Sequence, residues 1–184
     1  MEKILITYST TDGHTKEICK KLSCLFEANK KATTIIPIAE LKAPTLNTFH
    51  TVIVGASIRY GKHNRSVYRF INSNYEMLNR MNSGLFSVNL VARKPEKKLP
   101  ETNPYFRKFI KQIPWQPNHL AVFAGCLNYS RYKLMDRMMI QLIMRMTKGP
   151  TNPDANIVFT DWNAVESFGK NILKTHTTSG LTLP

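Results

Sequence analysis

Within Ser9-Thr10-Thr11-Asp12-Gly13-His14-Thr15, hydroxyls, an imidazole and a carboxylate surround a single glycine. The stretch follows a β-rich apolar run, Ile4-Leu5-Ile6-Thr7-Tyr8. It precedes Ile18, Cys19, Leu22, Leu25 and Phe26, which recur at helical spacing. Strand, tight turn and helix N-terminus in that order aim free backbone N–H groups, a positive dipole end and several hydroxyls at one point. Such a point binds a phosphate well. No Gly-Lys-Ser/Thr follows, so the turn is not a Walker loop, and it is not Gly-x-Gly-x-x-Gly. A plain βα turn capped by Thr or Asp accounts for the stretch equally well.

Two other polar loops follow apolar runs. Ser57-Ile58-Arg59-Tyr60-Gly61 continues through Lys62 and His63; Tyr60 can stack on a flat ring and Gly61 lets backbone approach closely. Ser87-Val88-Asn89-Leu90-Val91-Ala92-Arg93 offers Ser87 and Asn89 as hydrogen-bonding groups, then a guanidinium. Taken singly, Tyr60 reads as an ordinary loop aromatic and Arg59 as a solvated cation. Taken together, the three loops suit a planar heteroaromatic cofactor with a phosphate tail, for which FMN is the natural candidate. His14 and His63 could relay protons there, but a phosphate contact for His14 and solvent exposure for His63 are the stronger expectations. Cys19, Cys24 and Cys126 lack metal-ligand spacing, so no metal site is expected and the thiols read as reduced and structural.

The elements that must position these loops alternate strand with helix. Strand two is Ala32–Ile38, strand three Thr51–Ala56, strand four Gly84–Val91 and strand five Leu120–Gly125. Helices are expected over about Ser66–Met81, Tyr105–Ile113 and Trp162–Leu173, with a short helix or loop over 39–50 and a last short strand over Ile157–Thr160. Continuous apolar runs such as Thr51–Ala56 suit parallel strands buried on both faces. The pattern predicts an α/β fold: a flavodoxin-like, doubly wound sheet of five parallel strands in order 2-1-3-4-5. Ligands of such sheets bind beyond the carboxyl ends, at the switch point between strands one and three. One domain is expected over residues 1–174, with a basic helical insertion at about 126–153 and a loose tail over 175–184.

The net charge of +14 attracts polyanions, whether nucleic acid, anionic lipid or an acidic substrate. Between Val91 and Trp115 seven Lys/Arg and two Glu leave +5; between Tyr129 and Pro150 five Lys/Arg and Asp136 leave +4. Both stretches follow strand ends, so the field is expected to point at the loops. The second reads as a helix, Tyr132–Thr147, with Leu134, Met135, Met138, Met139, Leu142, Ile143 and Met146 on an apolar stripe and Arg137, Gln141, Arg145 and Lys148 opposite. It is too short and too charged to span a bilayer. It suits packing on its own domain or a second subunit, or lying in a membrane interface. No signal peptide is expected at the N-terminus.

Tyr8, Thr10, Gly13 and Thr15 stand at the spacing of the flavodoxin signature, with Thr7 in place of an apolar residue and Ile18 where alanine is preferred. Asp12 sets an anion beside the phosphate point and is expected to turn away or cap the helix. With Gly-Ala-Ser-Ile-Arg-Tyr-Gly (55–61), Ser-Val-Asn-Leu-Val-Ala-Arg-Lys-Pro-Glu-Lys (87–97) and the basic Met-rich segment before Thr-Asp-Trp (160–162), the chain resembles the menaquinone-dependent protoporphyrinogen IX dehydrogenases of bacterial haem synthesis. The resemblance runs from about residue 3 to residue 174. It implies FMN, six-electron oxidation of protoporphyrinogen IX to protoporphyrin IX, and menaquinone or ubiquinone as acceptor. It also implies peripheral attachment at the cytoplasmic face of the inner membrane, here through the helix at 132–147. By the same resemblance Ser9, Thr10, Gly13, His14 and Thr15, with Thr11, would hold the phosphate, and residues 57–61 and 87–93 would flank the ring system. Arg59, Arg93, Arg131 and Arg137 are candidates to pair with the substrate's propionates. No protein acid or base is implied, nucleic acid is not an expected partner, and homo-oligomerisation is left open. The rival readings are an NAD(P)H-dependent quinone reductase, an electron-carrying flavodoxin (a usually acidic family) and a basic nucleic-acid-binding α/β module.

Overall fold

The computed structural model describes residues 2–41, 45–132, 134–146, 149–152 and 154–178, without the side chains of Thr45, Arg131 and residues 176–178. Five parallel strands form the main sheet: Lys3–Ser9 (β1), Ala32–Pro37 (β2), Thr51–Arg59 (β3), Asn82–Asn89 (β5) and His119–Ala124 (β6), in spatial order β2-β1-β3-β5-β6. This is the expected doubly wound order. The register is continuous, with Tyr8 beside Gly55, and Gly55 in turn beside Phe86.

The apolar strands alternate between two cores. Ile4, Ile6, Ile53 and Phe86 face helices His14–Ala28 (α1) and Trp162–Thr178 (α5), meeting Ile18, Leu22, Phe26, Val165 and Phe168. Leu5, Val52, Val54 and Leu85 face Arg65–Arg80 (α2) and Pro104–Ile110 (α3), meeting Val67, Ile71, Phe106, Phe109 and Trp115. Both sheet faces are thereby covered, so every loop at the carboxyl edge is held from two sides. A third, small core belongs to the insertion: Leu127, Tyr129, Ile140 and Met144, packed against Leu90 and Phe159.

Three expectations change. Strand three does not stop at Ala56; it runs to Arg59 and folds back into Lys62–His63 (β4), antiparallel to its own end. Tyr60 and Gly61 have φ of 51° and 74°, the left-handed pair of a type I′ hairpin turn, and glycine takes the second position without Cβ strain. The last short strand covers Asn156–Val158 (β8), not Ile157–Thr160. It pairs antiparallel with Cys126–Asn128 (β7) in a separate ribbon that carries the insertion helix Leu134–Met146 (α4). The closing helix continues past Leu173 through Thr178, and Thr175 Oγ1 meets His119 Nε2 at 3.0 Å, so the segment expected to be loose begins as helix. Residues 179–184 of that tail lie outside the described residues.

His63, expected at the solvent, is buried. Its Nε2 meets Ser87 Oγ at 2.9 Å and its ring lies 4.1 Å from that of Phe109, so the hairpin is pinned to β5 and α3. Burial pushes the imidazole down to about 4. A histidine held neutral contributes stability that is whole above its unfolded value near 6.5 and is lost as pH falls toward 4. Urea unfolding should therefore show stability declining between about pH 6.5 and 4, by up to about 3 kcal/mol from this group. His63→Gln, which keeps a polar group toward Ser87, should flatten that slope.

Candidate functional site

A cavity of about 530 Å³ opens at the carboxyl edge between β1 and β3, within the range of small-molecule sites. It is lined by Thr10, Thr11, Asp12, His14 and Thr15 after β1, by Ser57, Ile58, Arg59, Tyr60 and Gly61 at the end of β3, and by Val88, Asn89, Leu90 and Val91 at the end of β5. Three loops distant in sequence therefore meet in one place because parallel pairing brings their strands' ends to one edge.

The β1–α1 turn is arranged for an anion. Gly13, at φ 87°, is the N-cap and provides no side-chain cap, while its N–H donates to Thr10 Oγ1 at 3.0 Å. Thr15, in the first turn of α1, is 1% exposed, and its hydroxyl has no hydrogen-bond partner. A buried unsatisfied hydroxyl costs free energy unless a ligand completes it. Thr160 donates to the Ala124 carbonyl, so His14 Nε2, 2.6 Å from Thr160 Oγ1, is the donor in their bond. Burial holds the His14 imidazole below its ordinary value, so it stands neutral. Asp12 does not cap the helix; it turns away to Arg59, as an anion beside an anion site must.

Arg59 ties three segments together. Nη1 meets Asp12 Oδ2 at 3.1 Å, Nη2 is paired with Asp136 of α4, and the guanidinium lies 5.4 and 5.3 Å from the ring centroids of Tyr60 and Tyr132. Two carboxylates and two aromatic faces thus hold one cation at the cavity side. At the end of β5, Asn89 Oδ1 accepts from Ala92 N–H at 3.0 Å and from Asn103 Nδ2 at 3.2 Å. Asn103 Oδ1 in turn caps α3 by accepting from Phe106 N–H. Asn89 Nδ2 is left buried without a partner. Two orphan donors on residues lining one mainly apolar cavity match a carbonyl-bearing planar heterocycle with an anionic tail.

Several residues expected at the site lie elsewhere. Ser9 ends β1 half-buried and does not line the cavity, and Gly13 lines a smaller adjoining depression with Glu17 and Asn128. Ser87 is inside β5 and engaged by His63, and Ala92 is buried in a 3₁₀ turn over Leu90–Arg93. Arg93 folds back on that turn, Nη1 donating to Leu90 O at 2.9 Å, and braces the insertion near Tyr129 and Gly149. Arg137 is half-buried away from the cavity, and the Arg131 side chain lies outside those described. Conversely, Tyr105, Gly125, Cys126, Tyr132, Met139, Ile140, Ile143 and Met144 line the cavity without having been singled out for it. Only the Met-rich spacing of α4 signalled this wall, and it could not say which face turns inward.

A flavodoxin-domain family model matches residues 5–154. The chain is 41% identical over 170 residues to the protoporphyrinogen IX dehydrogenase [quinone] of Escherichia coli, covering 92% of this chain and 94% of that one. The Leishmania major protein of the same name is also 41% identical over 92% of this chain, and 74% of its own length is covered. Among solved structures, two-electron reduced Megasphaera elsdenii flavodoxin superposes with a TM-score of 0.56 at 10% identity, covering 93% of this chain and 98% of that one, a likeness of fold. With this sheet order, this cavity at the switch point and relatives at this identity, the chain belongs to the flavodoxin-domain family, alongside the protoporphyrinogen IX dehydrogenases.

Proposed function

We propose that this chain is an FMN-dependent oxidoreductase that oxidises protoporphyrinogen IX to protoporphyrin IX and passes the electrons to menaquinone or ubiquinone, a step of haem biosynthesis. The observation that carries the reading is the buried, unpartnered Thr15 hydroxyl at the α1 N-terminus, beside a cavity also lined by Asn89, whose Nδ2 is a second orphan donor. Thr10, Thr11, Thr15 and the N-terminal amides of α1, the His14 backbone N–H among them, would hold the phosphate, while the His14 ring stays on Thr160. Tyr60, 54% exposed at the hairpin tip, would cover one side of the ring system, with Ser57–Gly61 and Val88–Val91 flanking it. Bound FMN supplies reversible two-electron transfer, so each porphyrinogen needs three cycles. Of the lining residues only Asp12 is a carboxylate, and Arg59 occupies it. Neutral His14 and water are therefore the proton acceptors the cavity offers.

The substrate's two carboxylates suit the positive field. Of the three candidate arginines whose side chains are described, Arg59 alone lines the cavity, so it is the one assigned to a propionate, in exchange with Asp136 or Asp12. The chain acts as a single unit, with the insertion as its lipid-facing part. No helix of the described residues is long and apolar enough to cross a membrane. Attachment is assigned to α4, whose Leu134, Met135, Met138, Leu142 and Met146 are 59–77% exposed beside basic residues. Each Lys or Arg near anionic lipid adds about 1 kcal/mol, which gives reversible binding at the inner membrane's cytoplasmic face.

Purified protein given FMN should show an oxidised-flavin spectrum that bleaches on anaerobic addition of protoporphyrinogen IX and recovers with a quinone analogue. Rapid bleaching by NADPH with none by porphyrinogen would replace this reading with a quinone reductase, and a colourless protein would end it. Thr15→Val keeps the shape and removes the hydroxyl. Fluorescence titration should show FMN binding weakened about 10- to 100-fold, the worth of a hydrogen bond to a charged group, with the fold unchanged.

A further inference from the structure

Helix α4 is apolar on far more of its circumference than its burial explains. At about 100° per residue, its apolar positions run, interrupted once, from Met138 and Leu142, past Met139 and Ile143, to Ile140 and Met144. The two ends of this arc differ. Met138 and Leu142 are 61% and 59% exposed, whereas Ile140 and Met144 are 9% and 0% exposed and sit in the insertion's core. Met139 and Ile143, between them, are 44% and 43% exposed and also line the cavity, so they form its rim. Asp136 is the one polar residue within the arc, and Arg59 neutralises it. Arg137, Gln141 and Arg145 occupy the remaining arc, with exposed Leu134 among them.

We infer that the acceptor reaches the cavity directly from the lipid phase, sliding over the Met139–Ile143 rim of α4 without crossing water. The inference rests on the function proposed above and specifies the acceptor's route. An exposed apolar surface of this extent marks an interaction site. The occupant is an anionic bilayer: the chain carries +14, and Arg137 and Arg145 border the apolar arc as the bases of an interfacial helix do. A prenyl tail would then stay among acyl chains while its quinone ring crosses the rim. The unbranched Met139 side chain can swing aside for such a ring.

The test uses the full FMN-loaded chain, reduced by light and EDTA so that porphyrinogen is not needed, and mixed phosphatidylglycerol–phosphatidylcholine vesicles. Reoxidation is followed with a long-chain menaquinone embedded in the vesicles and with tail-less 2-methyl-1,4-naphthoquinone in solution. Met135→Ser with Met138→Ser and Leu142→Ser, all outside the cavity, should abolish co-sedimentation with vesicles. It should slow reoxidation by the embedded quinone about tenfold or more, leaving the tail-less reaction at the parent rate. Met139→Asn with Ile143→Asn should still co-sediment, yet slow the embedded quinone about tenfold more than the tail-less one. Equal slowing of both quinones in the rim variant would overturn the route. Absence of vesicle binding by the parent chain, or burial of this face in a dimer seen on sizing, would overturn the bilayer as occupant. Failure of porphyrinogen to bleach the flavin would count against the enzymatic reading alone and leave these results readable.

Discussion

Parallel pairing of β3 between β1 and β5 is the constraint on which the site depends. A parallel sheet sends every strand's carboxyl end to one edge, and covering both faces with helices leaves that edge as the open place for a ligand. β3 outruns its neighbours: its ladder with β1 ends at Ala56, yet the strand continues to Arg59. The surplus residues curl back as the β3–β4 hairpin, pinned beneath by buried His63 against Ser87 and Phe109. Tyr60 and Gly61 are thereby carried over the cavity. Rigidity below and exposure above make a usable cover for a planar group.

Electrostatics at this edge are locally balanced despite the chain's charge. A carboxylate next to an anion-binding turn would oppose it, and Asp12 avoids this by pairing with Arg59. Arg59 then reaches Asp136 and so joins the insertion to the β1–α1 turn and the hairpin. Because its guanidinium is planar and shared between two carboxylates, giving up one leaves it oriented by the other and by Tyr60 and Tyr132. The cation is thus held by four groups from the phosphate-side turn, the hairpin and the insertion, whichever single contact is lost.

The insertion stands apart in design. Its core of Leu127, Tyr129, Ile140 and Met144 is small, supported by a two-stranded ribbon, and braced through Arg93 and Leu90 to the end of β5. So few buried groups on α4 leave most of its apolar side chains outside. The helix therefore serves as a wall between cavity and surroundings.

Period and composition in the chain itself determined the alternation of strands and helices, the sheet order and the three loops, because those depend on local hydrophobic pattern and on the handedness of crossovers. Thr10, Thr15, Tyr60 and Asn89 were legible for the same reason: strand ends with polar or glycine punctuation face the switch point. Tertiary structure decided which residues of each loop turn inward. Ser87 and Ala92 carry suitable positions but were claimed by His63 and by the packed 3₁₀ turn, and Arg93 was claimed as a brace. The short strand at Asn156–Val158 found its partner in Cys126–Asn128, a segment whose own pattern did not mark it as a strand. Whether the apolar stripe of α4 is buried or presented was also settled only in three dimensions. A helical period states that a face exists, and only the surrounding core, here too small to cover it, states where that face looks.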